Sequence, residues 1–238
     1  MYLENIVFDA VDPRRLGTFW QDLLGAELLT DSPEGFETRL SIPGGPDLDL
    51  CFQPVPVPPA DPVRLHLDVL GGPARDAVVA EALRLGARHL DIGQGNVPWV
   101  VLGDPESNAF RVMDDRTAHR DTGPIAAIPI DSADPDRDAR FWAWLTGWTD
   151  AGAAAPRTLR HPSLRGPLLE FCEEPAPKSE LKNRMHLDVR LEAADDPDEV
   201  AAGIGARGGR ELRPDWGDIP WRVYQDPSGN EFCVLPAP

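Results

Sequence analysis

Residues 4–10 alternate between apolar and polar positions. Ile6 and Phe8 turn one way, while Asn5, Val7 and Asp9 turn the other, the two-residue period of a strand. The period then changes. Leu16, Phe19, Trp20, Leu23 and Leu24 recur at three- and four-residue spacing. A helix is therefore predicted behind Asp12 as N-cap and Pro13 as first helical residue, stopping at Gly25. Three short strands are predicted near 26–30, 36–41 and 47–53, followed by a proline-rich connector from Pro54 to Pro62. The scheme then restarts. A strand at 63–70 leads to a helix at about 73–85 that ends at Gly86, and strands follow near 88–92, 98–103 and 108–113.

The second half of the chain repeats the first. Asp12-Pro13, Phe19-Trp20 and Leu24-Gly25 return as Asp134-Pro135, Phe141-Trp142 and Thr146-Gly147, a shift of 122 residues. The same shift relates Pro98-Trp99 to Pro220-Trp221 and Asp104-Pro105 to Asp226-Pro227. The run from Arg64 to Val69 is echoed from Arg184 to Val189. A repeat this long is a duplicated domain. The expected organisation is α+β: a domain over 1–115, a polar linker over 116–123 and a second domain over 124–238, with four βαβββ units in two pairs. A second connector runs from Glu173 to Asn183, and Asp196-Pro197 begins the last helix. Gly203-Ile204-Gly205 reads as a helix stop. Asp104-Pro105 and Asp226-Pro227 read as turns, which should differ slightly because Ser107 stands where the other copy has Gly229.

Composition narrows the partners. The chain has 238 residues and a formal net charge of −17, which disfavours nucleic acid and anionic membranes and otherwise serves solubility. No signal-peptide pattern opens it and no apolar run is long enough to span a bilayer, so a cytoplasmic location is expected. The three cysteines are odd in number. Cys51 and Cys172 are repeat partners, so reduced thiols are the simpler reading.

Strand parity sorts the polar residues onto one face. Leu65, Leu67 and Val69 oppose His66 and Asp68, and Met185, Leu187 and Val189 oppose His186 and Asp188. Leu48, Leu50 and Phe52 oppose Asp49 and Cys51, and Leu169 and Phe171 oppose Glu170 and Cys172. An open sheet would wet this polar face, whereas a curled sheet would make it the lining of a cup.

With its Asp-Pro, Phe-Trp, Arg-x-His-Leu-Asp-Val and Asp226-Pro227-Ser228-Gly229-Asn230 motifs, the chain resembles the vicinal oxygen chelate superfamily, which includes glyoxalases, bleomycin-resistance proteins and extradiol dioxygenases. It is most similar to tandem-domain bacterial glyoxalase-like proteins. The resemblance implies paired βαβββ units that form a curled mixed sheet with a ligand cavity. Metal-dependent members carry four ligands on that wall. Carried over by register, these positions fall on Asn5, Asp49, His66 and Arg111 in the first copy, and on Ala127, Glu170, His186 and Cys233 in the second. Arg111 has no lone pair to give and would repel a cation, and Ala127 has no donor. The remaining metal candidate is Glu170, His186 and Cys233, a set acceptable to a divalent ion such as Zn, Ni, Mn or Fe.

Bland roles compete with these. Asp68 and Asp188 would orient the histidines, and Arg111 would pair with Asp49 or else anchor an anionic ligand. Cys233 would be a small buried hydrophobe, and Trp99 and Trp221 would line the cavity or fill it. Asp9 and Asp131 lie on the polar face as ligand-binding candidates. The expected function is a glyoxalase-like protein that binds a small organic molecule, a lyase or isomerase where a degenerate metal site serves it. The alternatives are metal-free sequestration of the bleomycin-resistance type, and metal-free acid/base catalysis by His66 or His186 with Asp49 or Glu170. Exposed sheet edges in this superfamily make a homodimer an expected assembly.

Overall fold

A computed structural model of the protein describes residues 1–57, 63–152 and 156–238; residues 58–62 of the proline-rich connector lie outside the described residues. The first unit comprises β1 (Tyr2–Ala10), α1 (Pro13–Leu24), β2 (Glu27–Ser32), β3 (Gly35–Ser41) and β4 (Asp47–Pro54). The second comprises β5 (Asp68–Leu70), α2 (Arg75–Leu85), β6 (Arg88–His89), β7 (Val100–Gly103) and β8 (Ala109–Met113). The third comprises β9 (Ile125–Ser132), α3 (Pro135–Thr146), β10 (Thr149–Asp150), β11 (Arg157–Arg160) and β12 (Leu168–Glu173). The fourth comprises β13 (Met185–Arg190), α4 (Pro197–Ala206), β14 (Arg210–Leu212), β15 (Arg222–Gln225) and β16 (Glu231–Leu235).

Local chemistry sets the helix ends. Asp12 accepts a hydrogen bond from the Arg15 N–H at 3.0 Å, and Asp134 does the same for Arg137. Gly25 and Gly147 close α1 and α3 with φ of 67° and 72°, a region that favours glycine. Apolar faces of α1 and α3 then bury Phe19, Trp20, Phe141 and Trp142 against the sheets.

The units form two eight-stranded mixed sheets. Strand order is β14-β15-β16-β13-β1-β4-β3-β2 in the first and β10-β11-β12-β9-β5-β8-β7-β6 in the second. Each sequence half thus gives one unit to each sheet: the first unit pairs with the fourth, and the second with the third. The seams are antiparallel. Asn5 lies opposite Asp188 across β1–β13, and Asp68 lies opposite Ala127 across β5–β9. Within each half, a buried tryptophan ties the helix of one unit to the turn of the next. Trp20 Nε1 donates to Asp104 at 3.1 Å, and Trp142 Nε1 donates to Asp226 at 3.2 Å. Each carboxylate also accepts the backbone N–H and side-chain amide of Asn108 or Asn230.

Two expectations are corrected in detail. The strand expected at 63–70 survives only as β5, with an isolated bridge between Leu65 and Ile130. Pro129 is the cause. It accepts from the His66 N–H but has no N–H to return, whereas Val7 holds the matching place in the other sheet. The two Asp-Pro turns close alike, since Ser107 adopts φ 69° where Gly229 has 87°. In both, the residue's N–H donates to the turn aspartate's carbonyl at 2.9 Å. Gly203 and Gly205 fall in the last turn of α4, which ends one residue later at Ala206; a Cβ on Gly203 would meet the Trp144 ring at 2.6 Å.

Gly17 on α1 is closer still, because a Cβ there would lie 2.1 Å from Phe36 Cδ1. Gly17→Ala should therefore destabilise the fold by about 1–3 kcal/mol, since overpacking outweighs the helix-propensity gain of about 1 kcal/mol. Urea unfolding measures this, and an unchanged or raised midpoint would contradict the packing described.

Candidate functional site

Parity places the chemistry as expected. Leu48, Leu50 and Phe52 are buried in the core beneath the helices, and the opposite face of the first sheet lines a cavity of about 520 Å³. Its wall includes Asn5, Glu37, Cys51, Asp188, Trp221 and Cys233. Glu37 on β3 and Trp221 beside β15 are five strand steps apart. A flat sheet would separate them by about 24 Å. Lining one cavity of this size requires the sheet to curl.

The floor is a row drawn from four strands. Asp49 aligns with Asn5, Asn5 with Asp188, and Asp188 with Cys233. His186 sits two pairs along, on the same face, opposite Val7. Donor atoms of His186, Asp188 and Cys233 all lie within 4.8 Å of one another, and all three residues are buried. His186 Nε2 is 3.4 Å from Asp188 Oδ1, while Asp188 Oδ2 accepts the Asn5 amide at 3.0 Å. Asp188 Oδ1 and the other ring nitrogen of the histidine, His186 Nδ1, are buried without a hydrogen-bond partner.

Burial dominates the protonation of these groups. It pushes Asp188 up to about 7 against the pull of the Asn5 amide and the Cys233 thiol. It raises the Cys233 thiol far above its usual range, with Asp188 adding to the shift. It holds His186 well below the ordinary imidazole value, with the Lys182 charge adding to the effect.

Several expected partners are divided between the sheets. Glu170 lies on β12 in the second sheet, so the metal set Glu170–His186–Cys233 is split, and Asp188 stands in for Glu170 beside the other two. Asp49 does not meet Arg111 or His66. Its carboxylate is instead held by Arg39 through bonds of 2.7 and 2.8 Å. Asp9 is bound by Lys182 Nζ at 2.7 Å to both oxygens. The sets carried over from the superfamily follow the sheets: Asn5, Asp49, His186 and Cys233 in the first, and Ala127, Glu170, His66 and Arg111 in the second.

The second sheet has a different character. Asp68 pairs in register with Arg111, where the first sheet pairs Asp188 with Cys233. Asp68 Oδ1 lies 3.6 Å from His66 Nε2 and 3.9 Å from Arg111 Nη1. The Trp99 ring is stacked by the guanidiniums of Arg111 and Arg116, at 5.2 and 5.3 Å from its centroid. Burial raises Glu170, with Arg116 and Arg111 opposing, and raises Asp131 to about 6. His66 falls to about 3 through burial and the Arg111 charge. A guanidinium beside Asp68 does not fit a metal site, so this face is not a second copy of the first.

Sequence reasoning missed Arg39, Lys182 and Lys178, the last of which pairs with Glu231 at 2.9 Å. Lys178 and Lys182 are the chain's two lysines, and both fall in the 173–183 connector, a signal available in the sequence. Arg39 was legible from its register opposite Asp49. The motif arginines bridge the halves: Arg64 donates to Asn230 at 3.1 Å, and Arg184 to the Glu106 carbonyl at 3.0 Å.

A family model described as a glyoxalase-like domain matches the chain twice, over residues 5–113 and 127–235. Glyoxalase I from Zea mays superposes with a TM-score of 0.65 at 14% identity, covering 99% of this chain and 92% of that one. A mutant of the same enzyme gives 0.68 at 15% identity, covering 99% and 92%. At these identities the likeness concerns the fold alone. No curated protein sequence matches the chain. Among the described residues, no helix is long and apolar enough to cross a membrane.

Burial pushes Asp68 up to about 7 despite Arg111, above the ordinary carboxylate value of 3.8. A raised carboxylate stabilises the fold below its unfolded pKa, and that contribution is lost as pH rises through the folded value. Wild type should therefore lose stability relative to Asp68→Asn between about pH 4 and pH 7, by up to about 1.4 kcal/mol per pH unit, and run parallel to it above that. Urea unfolding of both proteins from pH 5 to 8 measures this; parallel curves throughout would show that Asp68 titrates normally.

Proposed function

The chain belongs to the glyoxalase-like domain family, and from that premise we propose that it binds a small organic molecule in the first-sheet cavity, beside a divalent cation held by His186, Asp188 and Cys233. The observation that carries this reading is a buried donor set no wider than 4.8 Å in which Asp188 Oδ1 has no hydrogen-bond partner. An unsatisfied buried polar atom costs about 1–3 kcal/mol, and a bound ion or ligand at that spot would recover part of it. Imidazole, carboxylate and thiolate together suit zinc best among the expected ions. A cation there would supply Lewis-acid polarisation of a ligand oxygen, the chemistry of a glyoxalase-type lyase or isomerase.

The protein's own groups prepare the site. Asn5 fixes the Asp188 carboxylate through Oδ2 and leaves Oδ1 free. The Asp188 proton and the Cys233 thiol proton must leave when a cation enters, so affinity should rise with pH. Metal-free acid/base catalysis is the weaker reading, because an imidazole held far below its usual pKa is a poor proton acceptor at neutral pH.

Titration of metal-stripped protein with Zn(II) or Co(II) should give one equivalent per chain, with a thiolate-to-cobalt absorption band. His186→Ala should weaken binding by an order of magnitude or more, Cys233→Ser should abolish the band, and His66→Ala should change neither. Absence of binding, or affinity unchanged by His186→Ala, would reject the cation site and leave metal-free sequestration as the reading.

A further inference from the structure

The first-sheet cavity also carries a charge signature. Its resident cations are already engaged. Arg190 Nε bonds Glu4 at 2.6 and 2.7 Å, and its Nη1 bonds the Pro236 carbonyl at 2.8 Å. Glu34 and Glu37 also line the cavity and have no cationic partner among the described residues. Deeper in, Asp188 is 4% exposed with Oδ1 unpartnered, which independently points to a ligand in the same space. A divalent ion with one carboxylate and one thiolate would be neutral overall, so Glu34 and Glu37, both exposed at the cavity, would stay without a cationic partner with or without it.

Trp221 supplies the second half of the signature. It lines the same cavity, half-buried, and among the described residues no ring or guanidinium stacks on it. Its repeat twin in the other sheet, Trp99, carries two guanidiniums on its ring. The duplicated position thus already holds cations in one copy, whereas in the other the indole packs against Val223, Cys233 and Leu235 at the wall of the cavity and has no guanidinium on it. We infer that the first-sheet cavity takes a small organic cation, a quaternary or protonated amine seated on Trp221 and countered by Glu37 and Glu34. An aromatic ring on one wall of a cavity with carboxylates on the opposite wall is chemistry that recognises such groups. The inference rests on the reading of this cavity as the ligand site and names its ligand class.

Choline serves as the probe, with its neutral tert-butyl analogue, in which carbon replaces the ammonium nitrogen, as the shape control. Calorimetry on the full chain should show choline bound at least tenfold more tightly than the neutral analogue, with affinity falling as salt rises. Trp221→Ala and Glu37→Gln should each weaken choline severalfold, while Trp221→Phe retains most of the binding; unfolding midpoints check that the variants are folded. Equal affinity for both probes, no binding of choline, or indifference to both substitutions would overturn the assignment. Running the titrations on metal-stripped and Zn(II)-loaded protein separates the two claims. Choline binding without metal binding would sink only the cation site, and zinc binding without choline binding would sink only the ligand class.

Discussion

The antiparallel seam between β1 and β13 is the contact on which the site depends. It brings Asn5 of the first half to 3.0 Å from Asp188 of the second and sets the row Asp49–Asn5–Asp188–Cys233 across four strands. Neither half alone holds the cavity. Asp188, Trp221 and Cys233 come from one, and Asn5, Glu37 and Cys51 from the other. Each seam has an arginine at one end that reaches into the opposite half, Arg184 beside β1–β13 and Arg64 beside β5–β9. Because side chains alternate along a strand, a one-residue slip at this seam would send every donor on β13 into the core.

The two seams are built alike, and the sites beside them have diverged through single positions. Arg111 and Cys233 occupy the same register next to Asp68 and Asp188. In the second sheet the guanidinium balances the carboxyl's charge from within the chain, and Trp99 is covered by Arg111 and Arg116. In the first, a neutral thiol offers no such balance, and Trp221 faces the cavity. One copy meets its electrostatic demand internally, and the other leaves that demand directed at whatever enters.

Much of the architecture was legible because it is locally encoded. Asp12 and Gly25 mark α1, Pro135 and Gly147 mark α3, and alternation from Leu48 to Phe52 assigns the faces of β4. Which units share a sheet was not legible, because strand pairing is non-local and all four units carry the same pattern. That gap is why Glu170 was grouped with His186: each half holds one acid, one histidine and one terminal position, and only the crossed pairing shows that they come from different sites. The role of Asp188 was hidden for a related reason. Two residues past His186 it shares a face with the histidine, and only the register with Asn5 and Cys233 shows it to be the centre of the row.

The fold can hold unsatisfied groups on one face because the other face is heavily secured. Each half repeats a tryptophan–aspartate–asparagine network, and aromatic rings pack around it: Trp20 lies 5.0 Å from Phe110, and Trp142 lies 5.3 Å from Phe232. On the concave side Asp188 Oδ1 and His66 Nε2 are buried without a hydrogen-bond partner, and elsewhere Thr38 Oγ1 and Asn108 Oδ1 are too. Departures from local rules are most informative where they coincide with a cavity. Since this fold hosts several reactions, chemistry must be argued from such atoms and not from architecture. What distinguishes the first sheet from the second is therefore the combination at one cavity: a thiol where the other copy has a guanidinium, an indole with no guanidinium on it, and carboxylates with no resident cation paired to them.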